Sequence, residues 1–339
     1  MTTCLYNRSF AVKNDLSTKY SLNYGVPQGS ILGPLLFLIY IHDMDSFCKE
    51  IEKIVYADDT TAIISGRNIR EAKERANDIL QQFYNYFTVN KLTINESKTK
   101  YMIFDFSSKR EKYKYFNNTE LSMNNTVLEE IRKIRFLGII INNKLTWDDH
   151  KSHLKANVNK TLGIIYNCRN IIKQSHLINM YNTFIHPYFN YCISLWGSSI
   201  KSKTDPLINL QNKIMRILFS CKRTDDAWKN DTNHCILKIK HLYYLEIAKL
   251  CYKHHTQELH EVINDIMPNL HGATQTQRIT KSMSSHNYIY NDKLLKTIPQ
   301  QCITLWNRLT KDIKDLAYND TSSIKQFTNK AKTFIMQNF

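Results

Sequence analysis

"YADDT", residues 56–60, lies between two apolar stretches that read as strands, Ile51 to Tyr56 and Thr61 to Ile64. The pattern predicts a β-hairpin with two adjacent aspartates, Asp58 and Asp59, in its turn. Two like charges side by side on a tight turn repel unless a cation neutralises them. Adjacency alone carries no meaning, because the chain also has Asp148-Asp149 and Asp225-Asp226. The first of these falls at a predicted helix start, where acids complement the helix dipole. The second falls in a polar stretch, where solvent screens it. Only Asp58-Asp59 is flanked by apolar strands. The best-fitting neutraliser is Mg²⁺, which takes oxygen ligands and binds through one or two carboxylates plus substrate phosphates. Two such ions roughly 4 Å apart clamp the attacking and leaving oxygens of a phosphoryl transfer.

On the N-terminal side of this hairpin stands "GVPQGSILGPLLFLIYIHDM" (25–44). Gly25, Pro27 and Gly29 predict a turn, and an apolar helix follows, starting near Ser30 or Pro34. On the C-terminal side, Ile69, Ala72, Ala76, Ile79, Leu80 and Phe83 share a stripe that predicts an amphipathic helix over 68–86, capped by Asn68 with Glu71 three residues on. "LTINESKTKYMIFDF" (92–106) reads as strand, turn, strand. Residues 107–128 read as a polar, Asn-rich loop. "IRKIRFLGIIINNKLTW" (131–147) reads as a hairpin turning at Asn142-Asn143. From Asp148 onward nearly everything reads as helix: a stripe of Leu154, Val158, Leu162 and Ile165, then helices over 177–196 and 206–219, a polar linker over 223–233, more helix over 234–266, a loose stretch over 268–290, and two short closing helices.

The totals bound the class of function. The 339 residues carry 46 basic and 30 acidic side chains, a formal net charge of +16. Residues 1–150 hold 20 basic and 18 acidic residues, whereas 151–339 hold 26 and 12, so nearly all the excess lies in the second part. A basic half with interleaved aromatics, as in "NKTLGIIYNCRNIIK" (159–173), suits nucleic acid, through phosphate contact and base stacking. The longest apolar run, Ile31 to Ile41, is far below the roughly 20 residues of a membrane span. No secretion signal is read in Met1 to Phe10, so the expected location is intracellular, nucleus or cytoplasm, with no membrane partner. The eight cysteines show no disulfide framework. A zinc reading of Cys251-x-x-His254-His255 or His234-Cys235 lacks a CxxC partner pair and is the weaker alternative to core cysteines and surface histidines.

Taken in order, these blocks resemble the reverse transcriptases of non-LTR retrotransposons, the jockey-like and related lineages. "GVPQGSILGPLLF" is similar to the family's nucleotide-pocket block, "YADDT" to its metal block, and "LTINESKTKYMIF", with Asn95 and Lys98-Thr99, to the block that follows. "IRFLGIIINNKLTWDDH" resembles the primer-grip hairpin. "YNTFIHPYFNYCISLWG" and "ITLWNRLTKDIKD" resemble the helical thumb and C-terminal region. The resemblance implies an α+β fold: a partial palm of antiparallel hairpins and helices over 1–147, a helical thumb over 148–222, a linker over 223–233, and a basic helical C-terminal region over 234–339. It implies RNA-directed DNA synthesis, with an RNA template, a DNA primer and a dNTP as partners and two Mg²⁺ ions as cofactors.

The resemblance also implies residue roles. Asp58 is the expected main ligand of both metals, with Asp59 beside it as ligand or orienter. Pro27, Gln28 and Gly29 line the incoming nucleotide's pocket, and Ala57 is small because the primer end passes over it. Lys98 is expected to protonate the leaving pyrophosphate or to hold a phosphate. Phe136, Leu137 and Gly138 form the primer grip. The family's first metal aspartate belongs to a block F-x-D-x-x-x-A-F-D upstream of the GVPQG block. Asp15, in "VKNDLST", does not match it. The expectation is therefore an N-terminally truncated member with impaired catalysis. The alternative is a non-catalytic nucleic-acid-binding remnant.

Overall fold

Helix α3 (Ile69–Val89) organises the first part of the chain. Asn68 caps it by accepting the Glu71 N–H at 2.9 Å, while the Glu71 carboxylate accepts the Arg67 N–H at 3.0 Å. The 3.6-residue stripe buries Ala76, Ile79, Phe83 and Tyr86, as its spacing predicts. It also buries Lys73, whose ammonium lies 5.7 Å from the centre of the Tyr101 ring. In this computed structural model the described residues are 11–12, 15–16, 29–47, 51–105, 120–200, 205–222, 226–231, 236–267, 297–318 and 323–339. They fall into two compact units: Met1–Ile103 with Ser108–Glu130, and Phe104–Ser107 with Ile131–Phe339. The palm was expected to end at 147; the compact units divide at Glu130/Ile131, with Phe104–Ser107 also in the second.

In the first unit, Ala11–Val12 (β1) pairs with Asp15–Leu16 (β2). The apolar run becomes helix α1 (Leu32–Tyr40), with Pro34 tolerated in its first turn, followed by the short α2 (Met44–Phe47). Strands β3 (Glu52–Tyr56) and β4 (Asp59–Ile63) form the expected hairpin, in register from Glu52↔Ile63 to Tyr56↔Asp59. Its half-buried Val55 and Ala62 pack with Ile41, Met44, Ile79, Phe83 and Tyr86. Tyr86 donates its hydroxyl to Asp43 at 2.5 Å, and Tyr40 donates to the Asn90 carbonyl, which ties α1 and α2 to the far end of α3. The other faces of α1 and β3 stay exposed, at Leu32, Leu35, Leu38, Ile39, Ile54 and Tyr56.

Two expectations for 92–128 are corrected. Residues 92–99 are a turn rather than a strand, because Asn95 closes it: its side chain accepts the Lys98 N–H and its carbonyl accepts the Thr99 N–H and hydroxyl. Among the described residues of 92–106 only Lys100–Tyr101 (β5) is strand, paired in parallel with Glu129–Glu130 (β8). The Asn-rich stretch, expected as a loop, holds a tight hairpin of Ser122–Met123 (β6) and Thr126–Val127 (β7). Asn124 and Asn125, both with positive φ, make its turn.

The second unit begins with the hairpin of Lys133–Phe136 (β9) and Ile139–Asn142 (β10). The expected turn at Asn142-Asn143 is corrected to Leu137-Gly138, whose φ values are +44° and +88°. Asn142 has another task. Its amide donates to Thr146 and Asp149 and accepts the Thr146 N–H, all at 2.8–2.9 Å, which fixes the entry to helix α4 (Asp148–Cys168). The α4 stripe His150, Leu154, Val158, Leu162 and Ile165 is buried.

The single helix expected over 177–196 is three: α5 (Gln174–Phe184), α6 (His186–Asn190) and α7 (Ile193–Trp196). Pro187 lacks an N–H for continuous helix, and Cys192 adopts φ +50°. Helix α8 (Pro206–Leu218) starts on Asp205, which accepts the Leu207 N–H at 2.9 Å and faces Lys151 at 3.5 Å. Within the expected polar linker, Ala227–Asn230 forms a 3₁₀ turn, with Trp228 donating to Asn212.

Helix α9 (Ile239–His255) is buried around most of its circumference, as befits the central rod of this unit. Helices α6 and α7, and then α11 (Thr297–Arg308), α12 (Lys311–Tyr318) and α13 (Ile324–Asn338), pack on it. The short α10 (Glu261–Ile266) follows a break at Gln257, φ +57°. The chain thus closes with three described helices where two were expected, and the stretch expected to be loose, 268–290, lies outside the described residues.

Candidate functional site

Tyr56 pairs with Asp59, so the hairpin turn consists of Ala57 and Asp58 alone. Ala57 takes φ +52° and Asp58 does not share the positive φ, the pattern of a II′ turn that favours glycine at its first position. Asp58 and Asp59 are exposed. Neither carboxylate has a hydrogen bond or ion pair among the described residues. The like charges are therefore not neutralised by any described cationic side chain. Lys53, the basic residue of the same hairpin, is committed to Asp45 at 2.8 Å. The donor set offered is thus two adjacent carboxylates, all oxygen, open to solvent, which fits a hard divalent cation. Among the described residues no group of three His, Cys, Asp or Glu side chains comes together.

Of the expected nucleotide pocket, Pro27 and Gln28 lie outside the described residues. Gly29 is described: it is exposed, with φ +86° and nothing within 4 Å of where a Cβ would stand. Its glycine is therefore required by backbone conformation. Lys98 is exposed on the 95–99 turn and makes no ion pair with Asp58 or Asp59. That turn is anchored from its neighbour, Glu96, which accepts from Thr126 and, at 3.1 Å, from Asn124 on the β6–β7 hairpin. These two bonds hold the Glu96 carboxyl below its ordinary range, the Thr126 bond being the larger cause.

The second cluster is the tip of the β9–β10 hairpin, where Phe136 is half-buried and Leu137 is exposed. A Cβ on Gly138 would stand 3.1 Å from the ring of Tyr191. Tyr191 donates its hydroxyl to the Leu137 carbonyl. The base of the hairpin rests on α4. The Ile140 N–H donates to Nδ1 of His150 at 3.3 Å, which leaves the ring proton on Nε2. His150 is buried between the edges of Trp147 and Trp196, and burial drives it down to about 4. Lys133 meets Asp149 at 3.4 Å, and the Asp149 carboxyl is held low chiefly by the Asn142 amide. Arg135 on the same hairpin is exposed, with no partner among the described residues.

The weaker zinc reading is not supported. Cys251 is fully buried and turned toward the Cys302 carbonyl, while His255 lies against Tyr318 and Trp306. His234 and Cys235 lie outside the described residues. No described helix is long and apolar enough to cross a membrane.

Sequence reasoning missed Tyr191, which reaches the hairpin tip across 54 positions, and His150. A histidine at the third residue of α4, in "WDDHKSHLKANV" and four positions before Leu154 of the buried stripe, was the available signal for a buried imidazole.

Residues 1–141 match the family model described as reverse transcriptase (RNA-dependent DNA polymerase). The match runs through both hairpins and ends on β10. Over that stretch the chain is similar to reverse transcriptases. Beyond the family model, the similarity is to polymerases of transposons and mobile elements. It is 26% identical over 263 residues to the probable RNA-directed DNA polymerase from transposon X-element of Drosophila melanogaster, covering 74% of this chain and 27% of that protein. It is 24% identical over 223 residues to the probable RNA-directed DNA polymerase from transposon BS of the same species, covering 62% and 24%. The RNA-directed DNA polymerase from mobile element jockey of that species is 25% identical over 229 residues, covering 62% and 24%. The chain thus spans about a quarter of the length of these relatives. No solved structure matches it significantly.

Proposed function

We propose that this chain is the palm-to-thumb portion of an RNA-directed DNA polymerase, in which a primer 3′-hydroxyl attacks the α-phosphate of a dNTP on an RNA template. The observation that carries the reading is the Asp58-Asp59 tip: two adjacent carboxylates with no described cationic partner, within the stretch that matches the family. In this reading Asp58 and Asp59 hold divalent cations, Mg²⁺ by choice of oxygen donors. When bound, such ions supply charge neutralisation for the reacting phosphates. Ala57 presents a small surface to the primer end. Gly29, with Pro27 and Gln28, gives the nucleotide close access to backbone. Lys98, whose ammonium has no partner among the described residues, serves in this reading as phosphate ligand or proton donor. The hairpin tip Phe136, Leu137 and Gly138 holds the primer terminus, and the helices from α4 onward serve as thumb and basic extension.

Among the described residues no third acid joins the two carboxylates, fewer than a two-metal site uses, so synthesis by this chain is proposed to be slow. Losing one acidic ligand costs several kcal/mol of transition-state stabilisation, since electrostatic terms dominate such sites. The test is primer extension with Mg²⁺ on an RNA template, comparing the chain with Asp58→Ala. Weak extension that disappears in the variant supports the assignment; equal extension by both removes it.

A second reading is favoured by the charge of residues 151–339, 26 basic against 12 acidic side chains. It is a nucleic-acid-binding chain without catalysis. Tight, salt-sensitive binding of primer–template with no extension at any Mg²⁺ concentration selects it.

A further inference from the structure

The β9–β10 tip contains a conformational conflict, and one side chain resolves it. Leu137 is a branched residue at φ +44°, in the left-handed region that costs an L-residue about 1–2 kcal/mol. Cys192, 55 positions later, is a second non-glycine at φ +50°. The two strained positions meet through Tyr191. Its hydroxyl donates to the Leu137 carbonyl, and its ring stands where a Cβ on Gly138 would come within 3.1 Å. Its own backbone carbonyl accepts the indole N–H of the fully buried Trp196 at 2.9 Å. The tip is therefore tied to the helical core by a short chain of contacts, Leu137 to Tyr191 to Trp196. Strain held in this way clusters where a backbone must be presented in one geometry. Tyr191 and Leu137 remain exposed, and Arg135, on the same hairpin as Leu137, is exposed with no partner among the described residues, so an aromatic ring and a cation are both open to a nucleic-acid strand.

We propose that Tyr191 is a positioning residue for the primer terminus: it sets the carbonyl and turn of Leu137-Gly138 so that this tip grips the end of the primer strand. The inference rests on the reading of that tip as the primer grip. Its test compares binding of two RNA–DNA hybrids of equal length by the full chain. One has a recessed DNA 3′ end carrying a photoreactive base; the other is blunt. The unaltered chain binds the recessed hybrid more tightly and crosslinks through 136–138. Tyr191→Phe, which keeps the ring, loses about fivefold of that preference, the size of one hydrogen bond. It leaves blunt-hybrid affinity nearly unchanged and lowers the urea midpoint by no more than that one hydrogen bond accounts for, while amide exchange at 137–139 speeds up. Gly138→Ala, which pushes on the same ring, gives the same loss. Three results overturn the proposal. If Tyr191→Phe keeps the full preference and crosslink, the hydroxyl does not set the tip. If both hybrids weaken equally, Tyr191 is structural only. If the unaltered chain shows neither preference nor crosslink, the primer-grip reading itself falls, and the proposal with it.

Discussion

Ala57 holds a backbone conformation that glycine adopts at no steric cost. It stands exposed, so replacing it removes no packing. Ala57→Gly is expected to relieve the left-handed strain, less glycine's extra chain entropy, for a net gain of up to about 1 kcal/mol. A rise in the urea midpoint of the first unit checks this; a fall would mean the turn is not strained. Buried imidazoles set a second expectation. His150 and His241 are each driven down to about 4, by burial first and then by nearby basic groups, His153 for one and Lys238 and Lys240 for the other. His186 is lowered as well, again by burial first. Their unfolded values lie near 6.5, so between about 6.5 and 4 the unfolded chain binds more protons. Stability is full above pH 6.5 and falls as the solution is acidified through that window. Each of the two strongly shifted histidines contributes on the order of 2–3 kcal/mol to the loss by pH 4. Urea midpoints at pH 7 and pH 5 measure it, and His150→Gln, which keeps an acceptor for the Ile140 N–H, should flatten the slope by about one proton. An unchanged slope would contradict the buried neutral ring. At this scale the sequence was informative where chemistry is local. Asp58 and Asp59 stand out as an acidic pair between two apolar strands, whereas Tyr191 and His150 act across long separations or through burial, which no local pattern encodes.

Among the elements, α3 was legible because a 3.6-residue stripe and a capping pair agree. The β9–β10 turn was misplaced because Asn-Asn is the stronger turn signal by composition, and in this fold Asn142 is spent on the entrance to α4. The β6–β7 hairpin was missed because strands of two residues give no periodicity to read. Helix α8 shows a further long-range device. Gln211, almost fully buried, donates to the Leu237 carbonyl at 2.9 Å and to Tyr181 at 3.3 Å, and accepts the Ile239 N–H at 2.9 Å. It thereby satisfies the first free N–H of α9. Gln211→Leu fills the volume and leaves those backbone groups unpaired, so it is expected to cost about 2–4 kcal/mol in urea unfolding. A cost below about 0.5 kcal/mol would mean solvent already reaches that joint.

For the whole chain, the family match covers 1–141, while the charge excess belongs to the helices beyond it. The α+β character and the passage from hairpins to helices followed from the order of motifs. The division at Glu130/Ile131 did not, because β10 packs on α4 through Ile139 and His150, contacts invisible in one dimension. With net charge +16, binding of a primer–template should be dominated by phosphate contacts. If roughly five phosphates are neutralised, affinity falls several hundredfold between 50 and 200 mM salt. A nearly flat salt dependence would deny the basic helices a nucleic-acid role.

The central claim is that the 58–59 tip holds divalent cations against a triphosphate. Titration of the chain with Mn²⁺ as a spectroscopic substitute for Mg²⁺, in the presence of primer–template and a non-hydrolysable dNTP, tests it without requiring turnover. Retention of Mn²⁺ that weakens at least about tenfold in Asp58→Asn, the loss of one charged ligand, is the predicted result. Binding that is identical in the variant would contradict it.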